Sequence, residues 1–318
     1  MAVPFSNYVC LLGGFFVGMF FMYNVIPLRM NQHHHRLQAR QSTNSILQFG
    51  NPGPVVDQFE RTAYTVSYNR KDRIPYWVGE HLTKASLQKG SGVDRDGSNF
   101  KTDSALPAIF QALTTDYTNS GYDRGHMAPA GDAVNTQAAM DETFLLSNIA
   151  PQVGEGFNRQ YWAYFEAFCR NLAQTYDDVY VYTGPLFLPK SGSASSLNAT
   201  TFALASVNLN AKGKIDSVHS AQKRATKQNY KMEYTVIGTN SPNVAVPTHF
   251  YKIILIPQGN SYVAGAFVLP NQAITKSTPL DQFQVAIDAI EKASGLTFFT
   301  KLDRSGFSDL CKAVKCVV

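Results

Sequence analysis

The chain has 318 residues, 44% hydrophobic and 12% aromatic, which is enough apolar material for a sizeable core and too much for a disordered or fibrous protein. Its 22 Gly and 15 Pro follow no short period, which excludes collagen-like and low-complexity chains. The net charge is +5, but the residues before Asp57 contribute Arg29, Arg36 and Arg40 and no acid, so the remainder carries only +2 and net charge alone argues for no nucleic-acid partner.

Residues 1–8 form a short tail. Val9 to Leu28 is apolar or small apart from Asn24, and twenty residues rising about 1.5 Å each match a bilayer core of roughly 30 Å. The segment is expected to be a transmembrane helix. A secretory signal peptide is the rival, but no basic start or small-residue cleavage site is visible. Residues 29–54 are rich in Gln, Asn, His and Ser, a composition like that of a mitochondrial targeting segment. The run His33, His34, His35 reads as solvated linker, and Asn51-Pro-Gly-Pro54 closes it. The soluble body is expected over residues 55–305, with 306–318 as a C-terminal tail. Cys10, Cys169, Cys311 and Cys316 are too scattered for a disulfide framework and read as free thiols.

Within the body, Thr62 to Asn69 alternates as a half-buried strand, and Pro75 to Leu82 reads as its partner. Gly90 to Ser120 reads as a long loop, followed by an irregular stretch over Gly121 to Met140 and a buried strand over Phe144 to Ala150. Trp162, Phe165, Phe168 or Cys169, and Leu172 recur at helical spacing and predict a helix from Asn158 to Tyr176. Strands are expected over residues 179–183, 203–209, 230–237, 249–256 and 262–269. A last helix is expected to be capped by Thr278, with Phe283, Ile287 and Ile290 as its apolar stripe, and to end at Gly295. The pattern is that of an α+β domain.

Reactive groups crowd into one stretch, Asp123-Arg124-Gly125-His126-Met127-Ala128-Pro129. Arg124 can hold an anionic oxygen, and His126, ordinarily titrating near 6.5, can take a proton. Together they suit phosphate-ester hydrolysis, which also needs a counter-charge for the leaving oxygen. Neither a carboxylate cluster for two metal ions nor paired histidines at zinc spacing is present. Asn148, Asn158 and Glu166 are offered instead, and Asn158, Trp162, Glu166 and Arg170 follow one another at steps of four along the expected helix. Taken singly, Asn158 also reads as an N-cap, and Glu166 with Arg170 as a surface ion pair.

Asp-Arg-Gly-His-x-Ala-Pro (Asp123 to Pro129), Ser-Asn-Ile-x-Pro-Gln (Ser147 to Gln152) and Asn-x-x-x-Trp-x-x-x-Glu (Asn158 to Glu166) together resemble the DNA/RNA non-specific endonucleases. Within them the chain looks most like the mitochondrial endonuclease G group, in particular its exonuclease-like branch. The resemblance covers roughly residues 60–305. It implies a ββα-metal nuclease fold with a mixed or antiparallel central sheet flanked by helices, and cleavage of DNA and RNA with little sequence preference. His126 would be the general base, and Asn158 the sole protein ligand of Mg²⁺, with Mn²⁺ as a substitute. Glu166 would orient metal-bound water, Asn148 would support His126 or those waters, and Arg95, Arg124 and Arg170 would hold phosphates. A homodimer anchored to the mitochondrial inner membrane is implied too. The Lys190 to Thr200 stretch and a basic insertion at Lys223 to Lys231 depart from the branch, leaving endo- and exonuclease action both open. Two other readings stand beside it: a membrane-tethered nucleic-acid-binding protein without turnover, and a secreted nuclease, for which Asn198-Ala-Thr200 would be a glycan acceptor.

Overall fold

The computed structural model describes residues 45–191 and 230–318. The expected membrane helix over 9–28, the strand over 203–209, the Asn198 triplet and most of the basic insertion lie outside the described residues. Among the described residues no helix is long and apolar enough to cross a membrane.

In chain order the main strands are β1 (Gln58–Glu60), β2 (Tyr64–Asn69), β3 (Ile74–Leu82), β4 (Asp123–His126), β5 (Ile149–Gln152), β6 (Val179–Leu186), β7 (His249–Gln258), β8 (Ser261–Pro270), β9 (Gln284–Val285) and β10 (Ser308–Asp309). The principal helices are α1 (Gln137–Thr143), α2 (Ala163–Thr175) and α3 (Ile287–Ser294). One eight-stranded sheet runs β1-β2-β3-β6-β7-β8-β9, with β10 added parallel to β8 and every other pairing antiparallel. β4 and β5 pair only with each other. This is an α+β fold, as the alternation of strand and helix patterns predicts.

Both faces of the sheet are covered, which is why β7 reads as the nearly continuous apolar run Phe250 to Ile256. Val78, Val181, Phe250, Ile254 and Phe267 face α2, where they meet Phe157, Trp162, Phe165 and Leu172. Trp77, Tyr180, Tyr182, Tyr251 and Ile253 face the other way, against Ile290, Phe298 and Phe299. Strand alternation places Glu80, Thr183 and Lys252 on the α2 side as polar positions in an otherwise apolar face.

Several boundaries differ from expectation. The packed body takes in the residues before Val55, because Ile46 and Leu47 are buried and two aromatic groups anchor on this segment. Tyr182 O–H donates to the Ile46 carbonyl at 2.7 Å, and Trp77 Nε1 to that of Gly53 at 2.6 Å. Residues 306–318 are not a tail: β10 joins the sheet, Leu310 is fully buried, and Cys311 and Cys316 form a disulfide instead of free thiols. The strand expected over Phe144 to Ala150 is shifted to β5, since Leu146–Asn148 makes a 3-10 turn. Its partner β4 falls in the stretch read as irregular, and so does α1. The helix expected from Thr278 is broken into a 3-10 turn at Leu280–Phe283, the edge strand β9 and then α3, although Gly295 does end it in a left-handed conformation at φ 74°. Residues 230–237 form two separate two-residue strands, Tyr230–Lys231 and Val236–Ile237.

Phe250 has no exposed surface and stacks between Phe157 and Trp162. Phe250→Ala should cost about 3–5 kcal/mol of unfolding free energy in denaturant titrations, whereas Ile109→Ala, at 73% exposure, should stay within about 0.5 kcal/mol of the parent.

Candidate active site

β4 and β5 lie in register, with Asp123 opposite Gln152 and His126 opposite Ile149. The chain then passes from Val153 into a π-type helical stretch, Gly154–Trp162, that continues as α2. Glu155 and Gly156 leave helical geometry, so the helical run proper begins just before Asn158. Between the two strands, the helix and the turn Ala130–Asp132 opens a cleft of about 490 Å³. His126, Arg124, Asn158, Glu166, Arg170 and Arg95 all line it.

Asn148 does not. It is fully buried, and its amide is spent on backbone: Oδ1 accepts the Ala128 N–H at 2.9 Å, and Nδ2 donates to the carbonyls of Ala128 at 2.9 Å and Thr143 at 2.8 Å. Its own carbonyl accepts the Met127 N–H at 2.9 Å. Of the two roles expected of Asn148, support of His126 or of bound waters, the structure favours the first, because its hydrogen bonds are directed at the two residues that follow His126 and not into the cleft.

His126 is 9% exposed and lies between the rings of Phe100 and Phe144, at centroid distances of 5.3 and 4.9 Å. The Arg124 guanidinium sits over the Phe100 ring and that of Arg95 over the Phe144 ring, at 5.3 and 5.7 Å. Burial, helped by the charge of Arg95, lowers the imidazole from 6.5 to about 3. The ring is thus held neutral, well below the ordinary value expected from sequence, and Nε2 has no partner among the described residues. The uncommitted nitrogen of a neutral ring can accept a proton, and a phosphate anion entering beside it would raise its affinity for one.

Asn158 is not an N-cap. Its Nδ2 donates to Asp123 Oδ2 at 2.9 Å, and because a carboxylate only accepts, that contact fixes the amide orientation and leaves Oδ1 uncommitted. Asp123 is gripped in turn by Arg159, whose Nε and Nη2 donate at 2.8 and 2.6 Å. Burial would raise the Asp123 carboxyl, but the hydrogen bonds from Arg159 and Asn158 outweigh it and hold the group below its ordinary value. Asp123 stood in the motif and Arg159 beside Asn158, yet their pairing spans 36 residues and has no local signal.

Burial pushes the Glu166 carboxyl up to about 7, opposed by Lys252 and reinforced by Asp132. The expected surface pair of Glu166 with Arg170 is not formed; Arg170 Nη1 donates instead to Asp132 Oδ1 at 2.7 Å. Trp162 is only 1% exposed and packs in the core with Phe165 and Leu172, as their shared apolar spacing predicts.

The cleft offers hard oxygen donors, the Asn158 amide and the Glu166 carboxylate, which suit a magnesium-sized cation that keeps most of its waters. Among the described residues no group of three or more His, Cys, Asp or Glu forms a metal cage. A cation here would be held by few protein ligands.

A family model described as DNA/RNA non-specific endonuclease matches residues 42–305. The chain is 54% identical to a protein named Nuclease from Syncephalastrum racemosum, over 92% of this chain and 81% of that one. It is 42% identical to the Mitochondrial nuclease of Saccharomyces cerevisiae, over 86% and 75% of the two chains. A chain in the crystal structure of the EndoG/EndoGI complex superposes with a TM-score of 0.69 at 39% identity, covering 84% of this chain and 97% of that one.

The lowered His126 value has a thermodynamic consequence with a definite sign. Between pH 6.5 and about 3 the unfolded chain binds a proton that the folded ring refuses, so this group takes away stability as pH falls, by at most about 1.4 kcal/mol per unit. In chelator, His126→Gln should therefore lose less of its thermal midpoint than the parent on acidification from pH 6.5 to 4.5; equal losses would show that the imidazole titrates normally.

Proposed function

The chain belongs to the DNA/RNA non-specific endonuclease family, and from that premise we propose that it is a Mg²⁺-dependent nuclease that hydrolyses phosphodiester bonds of DNA and RNA with little sequence preference. The observation that carries the reading is the convergence of His126, Arg124, Arg95, Asn158, Glu166 and Arg170 on one cleft. Arg95 and Arg124, held over aromatic rings, have no carboxylate partner among the described residues and suit the phosphates on either side of the scissile bond. A phosphate there would be gripped through its backbone oxygens, which carry no sequence information.

His126 accepts the proton of the attacking water as the new bond to phosphorus forms and the bond to the leaving oxygen breaks. A bound divalent cation supplies the counter-charge for that leaving oxygen. Asn158 Oδ1 would hold the cation, with its amide turned by Asp123, and Glu166 would orient water beside it. The neutral amide leaves most of the cation's charge available to the phosphate. Attack inside a strand and attack from its ends are both compatible with this arrangement. Mitochondrial placement, anchoring through residues 9–28 and a homodimer are part of the same proposal, supported by the relatives named mitochondrial and by the family resemblance.

The test is nicking of supercoiled plasmid by the full chain in Mg²⁺ and in chelator. His126→Ala should slow cleavage by about 10²-fold or more while leaving DNA binding nearly intact, the usual size of a lost general base. Asn158→Ala should abolish the metal dependence along with the activity. Wild-type cleavage by His126→Ala would refute the mechanism, and salt-sensitive binding without turnover in any metal would favour the binding-protein reading. Binding in chelator should weaken steeply with salt and change little between unrelated sequences.

A further inference from the structure

Beneath the cleft lies a cluster of charged groups that the mechanism above leaves unused. Asp132 ends the 3-10 turn Ala130–Asp132, six residues after His126, and is 5% exposed. It accepts from Arg170 Nη1 at 2.7 Å, and its carboxyl is hydrogen-bonded to that of Glu80 on β3, which is 2% exposed. Two carboxyl groups can share a hydrogen bond only if one carries a proton. Lys252, 1% exposed, lies on the same sheet face, with Nζ on Thr183 Oγ1 at 2.8 Å and 4.7 Å from the centre of the Trp162 ring.

Two ionised carboxylates side by side at this depth would repel each other, and one proton held between Glu80 and Asp132 removes that repulsion. The proton belongs on Glu80: Asp132 has the guanidinium in direct contact, whereas Glu80 Oε2 has no partner among the described residues, a state that a carboxylate tolerates poorly. Burial and the neighbouring Asp132 charge both raise Glu80 well above the carboxyl range.

The turn contributes one more constraint. A Cβ on Gly131 would come within 3.1 Å of Arg170 Nη1 and 3.3 Å of its Cζ, so the bare glycine gives the guanidinium its seat. We propose that Glu80 and Asp132 share one proton, and that Asp132, together with Gly131, is the positioning element that fixes Arg170 at the cleft wall. The segment from His126 to Asp132 is then a single device with the proton acceptor at one end and the holder of a phosphate arginine at the other. This rests on the reading of Arg170 as a phosphate contact.

The test uses the full chain and the variants Glu80→Gln, Asp132→Asn, Arg170→Ala and the double variant Asp132→Asn/Arg170→Ala. Plasmid cleavage in Mg²⁺ gives kcat and KM, and duplex binding in chelator gives the salt slope. Glutamine mimics the protonated acid, so Glu80→Gln should stay within about twofold of the parent, the scatter of a neutral change. Asp132→Asn and Arg170→Ala should each raise KM and lower kcat/KM about tenfold, the size of a lost charge-assisted contact, and each should flatten the log–log salt slope by about one. The double variant should be no worse than Arg170→Ala. Additive losses in the double variant, or a Glu80→Gln as damaged as Asp132→Asn, would overturn the proposal. Wild-type rate and slope in Arg170→Ala would sink the phosphate role of that arginine on which it rests. Should Asp132→Asn fail to fold, Gly131→Ala reaches the same seat without touching a charge; it should flatten the slope likewise, and an unchanged slope would overturn the seat.

Discussion

The site depends on one constraint, that a buried backbone must have its polar groups paired. The residues following His126 run through the interior, where Met127 and Ala128 are almost wholly buried and no sheet partner continues past β4. Asn148 meets the requirement alone, its side chain taking both polar groups of Ala128 and its carbonyl the Met127 N–H. An unpaired buried amide costs on the order of 1–3 kcal/mol, so the turn has one low-energy path. That path sets the imidazole against its two rings and delivers Asp132 to Arg170.

Around this clasp the cleft is built dry on one side and charged on the other. Phe100 and Phe144 strip water from His126 and carry two guanidinium groups that form no salt bridge among the described residues. On the helix side two ion pairs form, Asp123 with Arg159 and Asp132 with Arg170. The unbalanced charge is thus concentrated where an anionic backbone would enter, although the body is near neutrality. Net charge gave no hint of this, because the asymmetry is local.

How much could be read from the residues follows the same geometry. The acceptor, the arginine beside it and the helix-borne amide and carboxylate were legible, since each lies in a contiguous motif or on one helix. Arg95 was reached through the resemblance, its loop having no pattern of its own. Glu80 and Lys252 were not legible: inside β3 and β7 they read as ordinary polar alternation, and their partners come from β6, α2 and the turn after His126. β4 escaped notice and β5 was expected several residues too early, because strands of four residues containing Gly or Pro show too little alternation to register. Cys311 and Cys316 read as free thiols because sequence spacing does not reveal whether two thiols meet.

The end of the chain has a bearing on its synthesis. β10 lies beside β8 near one edge of the sheet, and Leu310, with no exposed surface, presses against Gly265. A polypeptide leaves the ribosome N-terminus first, and its domains form as they emerge. Here the hydrophobic interior lacks one of its side chains until Leu310 has emerged, so β1 to β8 wait for their closing piece.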